Sequence, residues 1–179
     1  MKKDIIGILK SGGVGVMPTD TIYGIVGAAL SKKAVLRIYK LRKRSLKKPM
    51  IILIASLLEL KRFGILLDKT VRKQLEEFWP GRVSIILPCG LKKFRYLHRG
   101  TNTLAFRLPA KKDLRNFLRK TGPLVAPSAN FEGKPPARAL REAKRYFGNR
   151  VDFYIDAGRL NGSPSSLVKF EEGKTIFLR

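Results

Sequence analysis

The residues of this chain that could hold an anionic small molecule fall in a few short segments, each placed where an apolar run ends. The first is Pro18-Thr19-Asp20-Thr21-Ile22-Tyr23-Gly24, a hydroxyl-rich loop that leaves the apolar run Val14-Gly15-Val16-Met17 and closes on glycine. An apolar run bounded by glycines reads as a buried strand, and ligands of open α/β sheets bind where such strands end. The plainer reading is a turn in which Thr19 and Asp20 cap a following helix.

Three further segments carry compatible chemistry. Arg42-Lys43-Arg44-Ser45-Leu46-Lys47-Lys48-Pro49 holds five basic residues in eight and ends on a proline that stops a helix. Such a loop can wrap phosphates, because guanidinium forks match phosphate or carboxylate oxygens and lysine adds a point charge. A solvated basic helix end would look the same taken alone. Ala126-Pro127-Ser128-Ala129-Asn130 follows the apolar Pro123-Leu124-Val125 and sets short polar side chains just beyond a strand, although an ordinary Ser/Asn turn has that composition too. In Thr103-Leu104-Ala105-Phe106-Arg107, strand alternation puts Thr103, Ala105 and Arg107 on one face and Leu104 and Phe106 on the other. An arginine carried by a strand is preorganised for an anion; its alternative is a rim arginine at a sheet edge.

The elements that must position these residues alternate in type. Helical spacing appears in Ala34, Val35, Ile38 and Leu41, in Val71, Leu75 and Phe78, in Leu114, Phe117 and Leu118, and in Leu140, Ala143 and Phe147. Strands are expected at 13–17, 50–55, 83–87, 103–107, 123–126, 151–155, and in a final pair near 166–170 and 175–178. Only Glu171-Glu172-Gly173-Lys174 separates the last two, a hairpin-length connection too short for a crossover helix. The expected fold is therefore α/β, a twisted mixed parallel and antiparallel sheet with flanking helices.

Composition bounds the rest. A chain of 179 residues with 44% hydrophobic content can bury one core, so 1–179 is expected to be a single domain. One cysteine, Cys89, excludes an intramolecular disulfide, and with the lone His98 it leaves no Cys/His cluster for structural zinc. Cys89, Trp79 and His98 read as a buried thiol, a core anchor and a surface imidazole. The N-terminus lacks the long apolar stretch and cleavage site of a signal peptide, and no run reaches membrane-spanning length. A cytoplasmic protein with no membrane partner is expected. The 38 Lys and Arg against 13 Asp and Glu, a formal net charge of +25, spread along the helices and attract polyanions. A solubilising surface and a contact to RNA or to phosphorylated substrates both fit.

The order of these segments, followed by Pro164-Ser165-Ser166-Leu167-Val168, resembles the YrdC-like threonylcarbamoyl-AMP synthases over nearly the whole chain. The resemblance implies a YrdC-like fold around a basic concave cavity. It also implies a nucleotidyltransferase that joins L-threonine, bicarbonate or CO2, and ATP into threonylcarbamoyl-AMP and pyrophosphate. The product would serve threonylcarbamoyladenosine formation at tRNA position 37 through separate downstream threonylcarbamoyl transferase proteins. Mg2+ would arrive on the ATP phosphates, with no dedicated metal site in the chain.

Carried over by motif, Thr21, Arg107, Ala126 and Ser165 would line the L-threonine pocket. Arg44, Lys48, Thr103, Ser128, Asn130 and Arg179 would hold ATP or the adenylate, and Arg42 and Arg44 would be the catalytic cations. Departures from the pattern are visible. Arg42-Lys43-Arg44 stands where the family has Lys-x-Arg, so Arg42 replaces a lysine near the reacting groups, unless Lys40 or Lys43 supplies an ammonium after a register shift. The Pro-Gly-Pro-x-Thr turn becomes Pro80-Gly81-Arg82-Val83-Ser84, and Ser166 replaces a threonine. The chain matches the short, single-domain form. Two other functions fit the same segments: a non-catalytic RNA-binding protein of this fold, and a paralogue that binds or hydrolyses the adenylate. Synthesis ranks first, because an RNA binder has no use for a threonine pocket.

Overall fold

The computed structural model describes residues 4–178. Its strands are β1 (Val14–Pro18), β2 (Tyr23–Ala28), β3 (Ile52–Leu53), β4 (Val83–Pro88), β5 (Thr103–Arg107), β6 (Leu124–Val125), β7 (Phe153–Tyr154), β8 (Ser166–Glu171) and β9 (Lys174–Phe177). They form a nine-stranded sheet in the order β7-β1-β2-β6-β3-β5-β4-β8-β9. The pairs β1/β7, β3/β5 and β4/β8 are parallel and the others antiparallel, the mixed sheet expected. The final hairpin is also as expected. Glu171 pairs Lys174, and the two turn residues, Glu172 and Gly173, both have positive φ, the backbone a two-residue turn needs to match strand twist.

The helices are α1 (Ile5–Lys10), α2 (Lys32–Leu41), α3 (Lys69–Phe78), α4 (Arg95–His98), α5 (Lys112–Thr121) and α6 (Leu140–Phe147). Local sequence starts three of them: the side chains of Asp4, Ser31 and Asp68 accept from the backbone N–H three residues on, satisfying donors left open at a helix start. α2 buries Ala34, Val35, Ile38, Tyr39 and Leu41 against the sheet.

Strand alternation sorts the core into two layers. Val14, Val16, Tyr23, Ile25, Ile52 and Ile54 join the α2 side, whereas Met17, Val26, Leu53 and Ala55 join Leu9 of α1 and Leu114 and Leu118 of α5. With both faces covered, the central strands are apolar on both sides and lose the alternation that marks a half-exposed strand. For that reason the sequence carries no strand signal at β2. Its Tyr-Gly-Ile-Val-Gly-Ala has buried residues throughout its first five positions and two glycines. A Cβ at Gly27 would lie 3.1–3.2 Å from Ile38 Cδ1, Ala34 Cβ and Val14 Cγ1, so the missing side chain lets α2 approach closely.

Other expectations need correction. The runs at 50–55, 123–126 and 151–155 keep only two paired residues each as β3, β6 and β7. Single bonds such as Ile54 N–H to Arg107 O and Ala126 N–H to Ile51 O continue past them. The first loop closes the antiparallel β1–β2 hairpin, with Pro18 opposite Tyr23, and does not lead into a helix. His98 is 3% exposed, a buried imidazole and not a surface one, because α4 packs against α2 and its Nδ1 accepts from Gly100 N–H at 3.2 Å. Cys89 and Trp79 are buried as expected, with Trp79 Nε1 donating to Val83 O. No helix among the described residues is long and apolar enough to cross a membrane.

Candidate active site

A cavity of about 420 Å³ opens between the β1–β2 loop, the loop after α2, the exposed face of β5 and the segment after β6. The expected residues Thr21, Arg107, Ala126 and Ser165 line it, as do Arg42, Arg44, Thr103 and Ser128. Lys48 and Asn130 are not on its wall, and Arg179 lies outside the described residues. Segments far apart in sequence thus converge on one volume, of a size suited to a small ligand.

Each wall has a local cause. β5 sits between β3 and β4, so Arg107 is an interior residue and not an edge one. Alternation sends Leu104 and Phe106 to the core while Thr103, Ala105 and Arg107 face the cavity. The segment after β6 zips along β2 through Ile25 N–H to Pro127 O and Ala129 N–H to Tyr23 O, which sets Ser128 opposite Gly24. In the β1–β2 loop, Thr19 Oγ1 donates to Ile22 O at 2.8 Å and sits 3.0 Å from Thr21 Oγ1, so the two hydroxyls brace one another. Ser165 Oγ pairs with Ser84 Oγ at 2.9 Å, so the fully buried serine at 84 supports the wall residue from behind.

Two guanidinium groups dominate the electrostatics. Arg107 and Asp20 have side chains only 4% and 5% exposed, and Arg107 Nη1 lies 2.8 Å from Asp20 Oδ1. The contact is one of charge more than of aligned hydrogen bonding, since the N–H is not directed at that oxygen. Nη1 also reaches Thr21 Oγ1 at 3.4 Å. Burial lowers the Arg107 pKa, and the Asp20 charge opposes that shift. Arg42 is 3% exposed, and burial, then the neighbouring Arg44 charge, pushes its pKa down to about 10, leaving it protonated at neutral pH. Among the described residues, Arg42 Nη1 and Arg107 Nε are buried donors with no hydrogen-bond partner. A buried N–H without an acceptor is costly, and an anionic oxygen in the cavity would relieve it.

The remaining cations divide. Arg44 lines the cavity, held by donation from Nε to Lys48 O and from Nη2 to Pro49 O. Lys48 Nζ turns outward to Glu132 at 2.9 Å. Glu132 also accepts from Ser45 N–H at 2.7 Å, and this bond, then Lys48, holds its carboxyl below the usual range. Lys43 lies over the Phe131 ring and Lys40 is exposed, and neither is on the cavity wall, so the register-shift alternative for the ammonium finds no support in the geometry. Asp20, Ser84 and Glu132 are the supporting residues that sequence reading did not place. Asp20 stood in the first loop in plain view, but its partner lies 87 residues on, a pairing that no local pattern carries.

The segment between β7 and β8 closes over the first loop. Tyr23 Oη donates to Gly158 O at 2.8 Å and accepts from Ala157 N–H at 2.9 Å. A Cβ at Gly162 would lie 2.1 Å from Thr21 O. Gly162→Ala is therefore expected to push this segment off the loop and lower the affinity for the cavity's ligand by about tenfold, in line with the cost of small misplacements at a site. Calorimetric titration of the variant against the native chain measures that change.

A sheet enclosed by helices carries a cavity walled by buried arginines and hydroxyls, donors of the kind that match anionic oxygens. The chain belongs to the Sua5/YciO/YrdC family, whose sequence profile, described as telomere recombination, matches residues 7–179. It is 31% identical over 97% of its length to the threonylcarbamoyl-AMP synthase of Pyrococcus abyssi, of which it covers 52%. With the threonylcarbamoyl-AMP synthase of Nitrosococcus oceani it shares 31% identity over 94% of its own length and 90% of that protein. The structure superposes on that of Pyrococcus abyssi Sua5 complexed with L-threonine with a TM-score of 0.88, at 30% identity over 97% of this chain and 52% of that one. The chain thus spans about half the length of the Pyrococcus protein.

Proposed function

We propose that this chain is an L-threonylcarbamoyladenylate synthase, converting L-threonine, bicarbonate and ATP into threonylcarbamoyl-AMP, pyrophosphate and water. The observation that carries the reading is the pair of buried guanidinium groups, Arg42 and Arg107, each with an unpartnered donor beside one cavity. Curated relatives bearing the synthase name and a threonine-bound relative of the same fold support it.

In this reading the threonine carboxylate docks on Arg107, with Thr21, Ala126 and Ser165 around the amino acid. Thr103, Ser128 and Arg44 face the nucleotide, and Lys48 is reachable once its contact with Glu132 opens. Bicarbonate takes up a proton and loses water to give CO2, and threonine's neutral amine attacks that carbon and releases a proton to become a carbamate. A carbamate oxygen then attacks the α-phosphorus, and the bond to pyrophosphate breaks. Charge builds on the transferred group and on the leaving group, and fixed donors there stabilise the transition state more than the substrates. Arg42 is placed to supply such donors. Mg2+ would arrive on the ATP phosphates and would offset their charge. The cavity wall offers donors for anions, and no group of three or more metal-ligating side chains occurs among the described residues.

The formal net charge of +25 favours a salt-sensitive contact to tRNA or double-stranded RNA, and the product passes to downstream transferase proteins in the cytoplasm. The purified chain, given ATP, Mg2+, bicarbonate and L-threonine, is expected to release pyrophosphate and form threonylcarbamoyl-AMP only when threonine is present, as read by mass spectrometry. Loss of added threonylcarbamoyl-AMP without synthesis would favour the hydrolytic paralogue, and RNA binding without turnover the RNA-binding protein.

A further inference from the structure

We infer that Asn130 is a positioning residue that fixes the Arg42 guanidinium, and that its side chain does not touch the nucleotide. The inference rests on the synthase reading above and changes the role that the motif resemblance implies for Asn130. A side-chain amide accepts two hydrogen bonds at its oxygen and donates two from its nitrogen. All are taken: Oδ1 accepts from Arg42 Nη2 at 3.0 Å and Ser128 Oγ at 2.6 Å, and Nδ2 donates to Phe131 O at 2.9 Å and to Lys134 O. With two carbonyls facing the nitrogen and two donors facing the oxygen, only one orientation of the amide satisfies the network. The residue is 5% exposed and is not on the cavity wall.

Asn130 grips Arg42 twice. Its main-chain carbonyl accepts from Nε at 3.1 Å and its amide oxygen from Nη2, while Ser128 Oγ takes a further Nη2 bond at 3.2 Å. One edge of the guanidinium is thereby occupied, and Nη1 alone is left without a partner among the described residues. An ammonium group can rotate its donors towards an anion, whereas a planar guanidinium must be held at the right angle. An arginine at position 42 thus needs an oriented acceptor, and Asn130 supplies it.

The test is kinetic. Asn130→Ala is expected to lower kcat about 100-fold, the cost typical of a small misplacement of a reacting group, while the calorimetric Kd for MgATP stays within about threefold. In an Arg42→Ala background the same change should cost less than about threefold, because residues acting through one another are not additive. On the native chain, the Asn130 side-chain amide protons should exchange slowly and show no nuclear Overhauser contact to bound ATP, an arm that needs no variant to fold. A native chain without threonine-dependent pyrophosphate release would sink the synthase reading itself. With a working native chain, tenfold weaker ATP binding at unchanged kcat, additive losses with Arg42→Ala, or an amide contact to ATP would each overturn the positioning role.

Discussion

Arg107→Ala is expected to abolish the use of threonine and to weaken the fold at once. The guanidinium lines the cavity with an unpartnered Nε, and its Nη1 is occupied by Asp20 and Thr21, so the Nε side remains for a ligand carboxylate. Hydrogen bonds to charged groups are worth about 1.5–3 kcal/mol each, so losing one or two lowers threonine affinity by roughly ten- to more than a thousandfold. The same change leaves the buried Asp20 without its counter-charge, which costs about 3–5 kcal/mol when one partner of a buried pair is removed. The two effects separate in the variant that carries both Arg107→Ala and Asp20→Asn. Its melting temperature should return towards that of the native chain, while calorimetry with L-threonine should still show no binding. Native threonine affinity in Arg107→Ala would sink the assignment of the carboxylate subsite.

Arg42→Ala should strike the chemical step. A single preorganised donor aimed at developing charge is worth about 10²- to 10³-fold in kcat, and Arg42 is buried, charged and held with one donor spare. Single-turnover pyrophosphate release should fall by that factor, while threonine binding, which depends on Arg107, stays near the native value. Arg42→Lys should restore part of the rate, since the charge returns without the fork that Asn130 grips on two sides. An unchanged rate in Arg42→Ala would remove this residue from the reaction and make its burial purely structural.

Much of this architecture was legible in the chain. The helices α2, α3, α5 and α6 announce themselves by apolar spacing, and the final hairpin by the length of its connection, because both signals are local. Alternation in β5 puts Arg107 on one face with Thr103 and Ala105, and that face lines the cavity. β2 was invisible for a physical reason: a strand buried on both faces, with glycines where α2 presses close, shows neither alternation nor bulk. His98 was misplaced because a lone polar residue does not report whether a neighbouring helix covers it.

Residue types and their order determined the family to which this chain belongs and gathered its candidate cations and hydroxyls into a few short segments. Tertiary structure decided which residues line the cavity and which hold others in place. Lys48 turns out to Glu132, Asn130 spends its amide on Arg42 and its neighbours, and Asp20 finds Arg107 across the sheet. Hydrogen-bond capacity and buried charge are settled between partners far apart in the chain. Local propensity encodes the elements, but only their packing determines which donors remain unpaired and thus available for chemistry.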